Sequence, residues 1–426
     1  MTGGVGKCAL ALAGLAALAV FPYVRSVTLP PISDDYLQIG LARQYGPVQG
    51  WHELASDALY RCRATSLVLT HWTERLFGVS PLVINLSSLA LHILNVWLIF
   101  ALGFWRPLGW RLAFLAAAFF AVYEGHQEAV IWYSALPELL VFTFIAAAFL
   151  FWIRWLQRGA WWCCAGALMA FALALLSKES GAAFVGLALL PVVVERARWK
   201  RWAAPWVAMT AIAAGYAAAI YYARDNHLFF YDGTFELQSG FLLVLWNSTG
   251  RMLWFWGALS LLVLAAHRAR EYRRLAALAA GWAVIAFLPY SFITYMPRVP
   301  SRHTYLASLA LSWIVAAAAL VLWRNHKRAA AVLGAVLVLH NAGYVWMRKH
   351  AQFAERAEPT ERLVEFARGV RGPVNVHCFT YGLDAARWAV RVGAEKEMHA
   401  ASTHDSPDVF CYPPHPRQEA LQAGAQ

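Results

Sequence analysis

Long apolar runs broken by short polar turns dominate the chain, and their lengths predict its elements. Runs near the roughly 20 residues that cross a bilayer lie at about 8–23, 80–104, 112–123, 138–153, 161–176, 181–194, 202–222, 241–266, 275–293, 304–323 and 329–346. The expected fold is an all-α polytopic membrane protein with about eleven transmembrane helices, one per run. Composition agrees: hydrophobic residues fill 60% of 426 positions and charged residues 14%, far from the balance of soluble domains.

Two stretches depart from this pattern. Residues 24–79 are too long for a connector and hold apolar residues at helical spacing, as in "WHELASDALYRCRATSLVLTHWTERLFG". They read as helices on a membrane surface, where Trp51, Tyr60 and Trp72 suit the interface, or as an ordinary amphipathic connector. After the last run the composition turns polar, with "GPVNVHCFTYG" resembling a strand and "CYPPHPRQ" a loop. The chain therefore divides into a membrane domain over 1–346 and a small extracytoplasmic tail or domain over 347–426.

Charge changes the picture by giving the runs a direction. The net charge is +12, and one alternating set of loops holds most of the short-loop cations. These are Arg106 and Arg111; Arg154 and Arg158; Arg196, Arg198, Lys200 and Arg201; Arg268, Arg270, Arg273 and Arg274; and Arg324, Lys327 and Arg328. The other side's short loops hold only Lys178, Arg224, Arg298 and Arg302. Lys and Arg are retained in the cytoplasm during insertion, so the basic set is expected inside. Nucleic-acid binding is not implied, because no folded basic domain is available. Asp34 and Asp35 then lie outside, with Glu53, Asp57, Glu124, Glu128, Glu138, Glu179, Asp225, Asp232 and Glu236. The first run, flanked only by Lys7, reads as an uncleaved anchor rather than a signal peptide. Of six cysteines, only Cys378 and Cys411, both in the polar tail, are placed to pair in an oxidising compartment.

The candidate chemistry sits in the outer loops. "SDDYLQIG" puts Asp34 and Asp35 just past the anchor, and "VYEGHQEAVIWYSALPELLVF" puts Glu124, His126, Glu128 and Glu138 at the membrane edge, where ionisable groups are costly without a role. "LALLSKESGAAF" interrupts an apolar stretch with Lys178 and Glu179; "YMPRVPSRHTYLASL" combines Arg298, Arg302, His303 and Tyr305. A guanidinium fork can donate two parallel hydrogen bonds to phosphate oxygens, and an ammonium meets them as a point charge. Bland readings stand beside these: a solvated turn needs polar residues, and a lysine at a helix end snorkels to headgroups.

In order along the chain, "SDDYLQIG", "HILN", "HQEAVIWYSALPELL", "LLSKES" and "SRHTYLAS" resemble segments of the GT-C membrane glycosyltransferases. They are similar in particular to the transmembrane and tetratricopeptide-repeat O-mannosyltransferases and their bacterial relatives, without the repeats. The resemblance implies transfer of a sugar from a polyprenyl-phosphate donor to a hydroxyl on a protein, lipid or glycan outside the cytoplasm. It implies an acid or base at Asp34 or Asp35, substrate contacts at His126, Glu128 and Glu138, and donor-phosphate contacts from Lys178 and Arg302. Glu179, Arg298 and Tyr305 belong to the same expected binding region. Leu136 stands where relatives often carry Arg, and Ala307 where they carry Pro.

Adjacent side chains diverge by about 100° on a helix, so the two aspartates cannot share one proton. Asp35 is expected to activate the acceptor while Asp34 caps the following helix; the reverse stays open. No cofactor is expected with assurance, although a divalent cation bridging loop carboxylates is compatible with the residues. The alternative function is a multi-pass transporter or lipid flippase, which would place charges near the bilayer midplane and show repeated halves. A noncatalytic scaffold is a third reading.

Overall fold

The computed structural model describes residues 2–46, 58–222, 240–293, 296–403 and 408–413. Trp51, Glu53, Asp57, Arg224, Asp225, Asp232 and Glu236 lie outside the described residues, as do the side chains of Tyr60 and Cys62.

The apolar runs fold as helices of one bundle, and local chemistry sets their ends. Ser80 accepts a hydrogen bond from the Val83 amide (3.3 Å) and Pro81 fills the first position of the Pro81–Ala101 helix, a start that leaves no needed donor unmet. The Leu136–Arg158 helix stops at Gly159, whose φ of +71° suits a residue without a Cβ, and its return partner is Trp161–Leu175.

Among the described residues five helices are long and apolar enough to cross a membrane: Pro81–Phe104, Tyr133–Arg158, Arg270–Phe292, Ser308–Asn325 and Lys327–Gly369. Phe241–Leu253 and Phe255–Ala266 meet at 74° and would make a sixth as a broken span. The expected count of about eleven is therefore not reached by length and composition among the described residues. Apolar runs such as Gly109–Val122 and Trp161–Leu175 are shorter helices, and periodicity alone does not separate a span from a helix buried in a core.

Two clusters of polar contacts join the helix ends. At one end Trp105 Nε1 and Gln157 Nε2 both donate to Glu195 (2.7 and 3.2 Å), and Arg201 donates to the Leu156 carbonyl (2.8 Å). At the other end gather the segments carrying Asp35, Glu128, Glu138, Lys178 and Arg302. Between the ends a continuous core includes the edge-on rings of Phe149 with Trp282 and of Trp282 with Trp313.

The first long loop contains two helices, Asp34–Tyr45 and Ala58–Phe77, which bind each other through Gln38 and Thr70 (3.2 Å) and through the Arg43–Glu74 ion pair. Thr70 meets the Tyr133 hydroxyl at 3.0 Å, so this pair is seated on the bundle.

The last long apolar helix is continuous from Lys327 to Gly369, 43 residues, with a π turn at Val345–Lys349. The boundary expected at 346 falls inside that turn. Beyond it, strands β1 (Val374–Phe379), β2 (Met398–Ala400) and β3 (Val409–Tyr412) form a parallel sheet in the order β2-β1-β3, with helix Leu383–Gly393 joining β1 to β2. Cys378 and Cys411 are joined by a disulfide across β1 and β3, as expected. This C-terminal unit packs directly on the aspartate helix. Trp388 lies so close to Gly40 that a Cβ there would stand 2.2 Å from its ring, and the Ser33 amide donates to Thr360 Oγ1 (3.2 Å).

Candidate active site

Asp34 and Asp35 begin the Asp34–Tyr45 helix, where carboxylates complement the positive end of the helix dipole. Their environments differ sharply. Asp35 is 3% exposed; one oxygen accepts from the Ile32 amide (2.8 Å) and the other from the amide and hydroxyl of Ser134 (2.7 and 2.9 Å). Burial pushes its carboxyl up to about 7 against the pull of these bonds. Asp35, not Asp34, thus ties back the helix start and clamps it to the segment before the Leu136–Arg158 helix. Asp34 is exposed. The cleft around it still raises its carboxyl, opposed by the Ser33 hydroxyl and the charges of Arg356 and Arg302. The open carboxylate of the pair is Asp34, the reverse of the weighting read from the sequence.

Glu128 stands across from these aspartates. Arg302 Nη1 donates to it (2.6 Å), as do the Ser301 hydroxyl (2.6 Å) and the Arg302 amide (3.2 Å). Burial favours its neutral form, but Arg302 and these donors together hold the carboxyl down at about 2 against an ordinary 4.5. Because the folded value lies below the unfolded one, the contribution is complete above about 4.5 and lost as pH falls toward about 2. Thermal unfolding of the detergent-solubilised protein should show a fall in stability across that window, and Glu128→Gln should flatten it. A variant that kept the full slope would assign the titration to another group.

Lys178 and Glu138 pair with each other, both buried. Glu138 also accepts from His303 Nδ1 (2.6 Å) and the Tyr290 hydroxyl (2.5 Å), and Tyr290 stacks on His303 with centroids 4.6 Å apart. Burial and the Lys178 ammonium push His303 down to about 4, so it donates as neutral imidazole. Lys178 is therefore spent on a buried network that ties four segments together, and the expected role as a free cation for phosphate does not fit its surroundings. Glu179 faces Arg63 at 3.6 Å.

His126 and Tyr305, both expected at the binding surface, lie in the core. They are 0% and 1% exposed. His126 uses both ring nitrogens, on the Phe120 carbonyl (3.0 Å) and Ser308 Oγ (2.6 Å). The Tyr305 hydroxyl meets His92 Nδ1 (2.7 Å) and Asn95 Nδ2 (3.3 Å). "HILN" thus places two polar groups three residues apart on one helix face to fasten Tyr305.

Arg298 is exposed and lines a cavity of about 730 Å³ together with Arg251, Lys349, Glu124 and Ser301. Arg251 stands beside the bend between Phe241–Leu253 and Phe255–Ala266, inside a run read as one span. An ionisable residue in such a run is itself a signal of function, and it could have been found. Arg356 and Trp132 were not singled out by sequence. Among the described residues no group of three or more His, Cys, Asp or Glu could hold a metal ion, and Glu128 and Glu138 are each paired with a cation.

No protein-family model matches the chain, and no curated protein matches it. Solved structures share its fold. ArnT from Cupriavidus metallidurans in the apo state is 14% identical, covering 95% of this chain and 87% of that one, with TM-score 0.55. The same protein bound to undecaprenyl phosphate is 15% identical over 94% and 86%, TM-score 0.54. The archaeal oligosaccharyltransferase AglB from Archaeoglobus fulgidus, in complex with an inhibitory peptide and a dolichol-phosphate, is 11% identical, with TM-score 0.54. That match covers 93% of this chain but only 65% of AglB. At these identities the likeness is one of fold alone: the chain shares the fold of ArnT and AglB, and its long apolar helices are those of an integral membrane protein.

Proposed function

We propose that the protein transfers a sugar from a polyprenyl-phosphate donor to a hydroxyl acceptor on a protein, lipid or glycan. The observation that carries this reading is an open carboxylate, Asp34, facing Arg302 and Arg356 at the end of a GT-C bundle. Two structural neighbours hold a polyprenyl phosphate, undecaprenyl phosphate in ArnT and dolichol-phosphate in AglB, which favours the same class of donor here.

In the reaction, the acceptor oxygen attacks the anomeric carbon while its proton passes to the Asp34 carboxylate. The bond from that carbon to the phosphate oxygen breaks, and the electron pair leaves with the polyprenyl phosphate. A carboxylate that takes the proton strengthens the nucleophile, and fixed cations stabilise the charge growing on the leaving phosphate. Arg356 and Arg302 are the arm of the cationic face at Asp34, continued by Arg298, Arg251 and Lys349 in the adjoining cavity. Asp35 holds the helix start that presents Asp34. The transferase unit expected over 1–346 is completed in this reading by the C-terminal unit, whose Thr360 and Trp388 pack on the aspartate helix.

The site is assigned to the extracytoplasmic side. Fifteen basic residues against four in the short loops favour that orientation, as does a disulfide in the unit docked beside Asp34, since such bonds persist in oxidising compartments. The decisive measurement is release of polyprenyl phosphate from a polyprenyl-phosphate-linked sugar by the purified protein in vesicles. In parallel, a cysteine introduced beside Asp34 in a Cys62-free background should react with an impermeant thiol reagent from outside, and one beside Arg198 or Arg273 should not. Opposite labelling would reverse the orientation, and failure to turn over any polyprenyl-linked sugar would remove the activity.

A further inference from the structure

Two guanidinium groups lie against one indole at the edge of the aspartate cleft. The Arg302 guanidinium is 4.9 Å and that of Arg356 4.8 Å from the centroid of the Trp132 ring. Contacts of this kind are favourable, more so as water is excluded, yet bringing two like charges to one ring is unfavourable unless an anion joins them. Arg302 is partly answered by Glu128. Among the described residues no carboxylate stands within ion-pair distance of Arg356, whose guanidinium also lies over the Phe353 ring, 5.2 Å to its centroid. The Trp132 indole N–H is buried and donates to nothing. Donors therefore gather here in excess of acceptors, beside the open carboxylate of Asp34.

Arg356 lies on the last long helix beyond its π turn and is fixed from two sides. Its backbone carbonyl accepts from the Tyr381 hydroxyl (2.7 Å) at the end of β1. One turn further along, Thr360 accepts from the Ser33 amide directly before Asp34. The C-terminal unit thus sets where Arg356 stands relative to the aspartate helix.

We propose that Arg302 and Arg356, held against Trp132, form an anion clamp for the phosphate of the lipid-linked donor, so that the C-terminal segment is part of the active site. The inference rests on the donor class given above. A guanidinium matches phosphate through a planar fork that an ammonium lacks. Arg356 is a binding residue on this view and takes no proton.

The test is equilibrium binding of radiolabelled undecaprenyl phosphate to the full chain in nanodiscs, with the neutral alcohol undecaprenol as control. Arg356→Ala should weaken undecaprenyl phosphate binding at least tenfold and leave undecaprenol binding within twofold. Arg356→Lys should recover part of the loss and Arg356→Gln none; these variants keep an unbranched stem with a polar end and carry the test if the alanine protein does not fold. Wild-type binding matched within twofold by the folded Ala and Gln variants would overturn the clamp and leave the donor reading standing. Absence of undecaprenyl phosphate binding by the wild type would overturn the donor reading and the clamp with it.

Discussion

Asp34→Asn should lower sugar transfer by about 10²–10⁴-fold, the range a positioned proton acceptor contributes, with polyprenyl phosphate affinity unchanged. The substitution keeps the size of an exposed side chain and removes its ability to take a proton, so the melting temperature should not move. Because the cleft raises the Asp34 carboxyl, the wild-type rate should fall on the acid side at a pH above that of an ordinary aspartate. Asp35→Asn separates the two roles. Its neighbours at Ile32 and Ser134 all donate, so an amide nitrogen must face a donor, leaving a buried group unmet at about 1–3 kcal/mol. That variant should lose stability before chemistry. Wild-type turnover by Asp34→Asn, with loss of turnover in a fully stable Asp35→Asn protein, would return the base to Asp35.

Lys178→Ala should destabilise the protein by about 3–5 kcal/mol, because removing one partner of a buried ion pair leaves the other charge uncompensated. Glu138 would keep His303 and Tyr290 but lose its only full positive charge. Folded Lys178→Ala protein should bind polyprenyl phosphate normally. A stable variant with weakened binding would instead show that the ammonium leaves Glu138 to meet the phosphate. Denaturant or thermal unfolding in detergent, run beside the binding assay, distinguishes these outcomes.

The helical bundle was legible because it follows from local composition: apolar length acts on each segment separately. The pairings within the site were not legible. Glu128 and Arg302 are separated by 174 positions, Lys178 and Glu138 by 40; which cation meets which carboxylate depends on how helices pack, and no spacing rule reports that. The same limit misplaced His126 and Tyr305. A polar residue near a membrane edge reads as exposed until a core partner such as Ser308 or His92 is found for it. Asp34 and Asp35 were correctly read as divergent, but dividing their roles required Ser134, 99 positions away from Asp35. Arg356 escaped because a polar tail gives no local sign that it returns to the bundle.

The π turn at Val345–Lys349 governs an angle. It carries one residue more than an α-helical turn, so each side chain beyond it is rotated by about 100° from its place on an uninterrupted helix. The 43-residue helix, about 65 Å long at 1.5 Å per residue, behaves as an indexed shaft. Its membrane end is keyed near the turn by Trp346, which donates to the Phe21 carbonyl (3.2 Å) and packs edge-on against the Phe21 ring. Its far end presents Arg356 to Trp132. Losing one residue from the turn would alter the phase of the far end while leaving the spans and the parallel sheet chemically intact, and a different side chain would then face the aspartate helix.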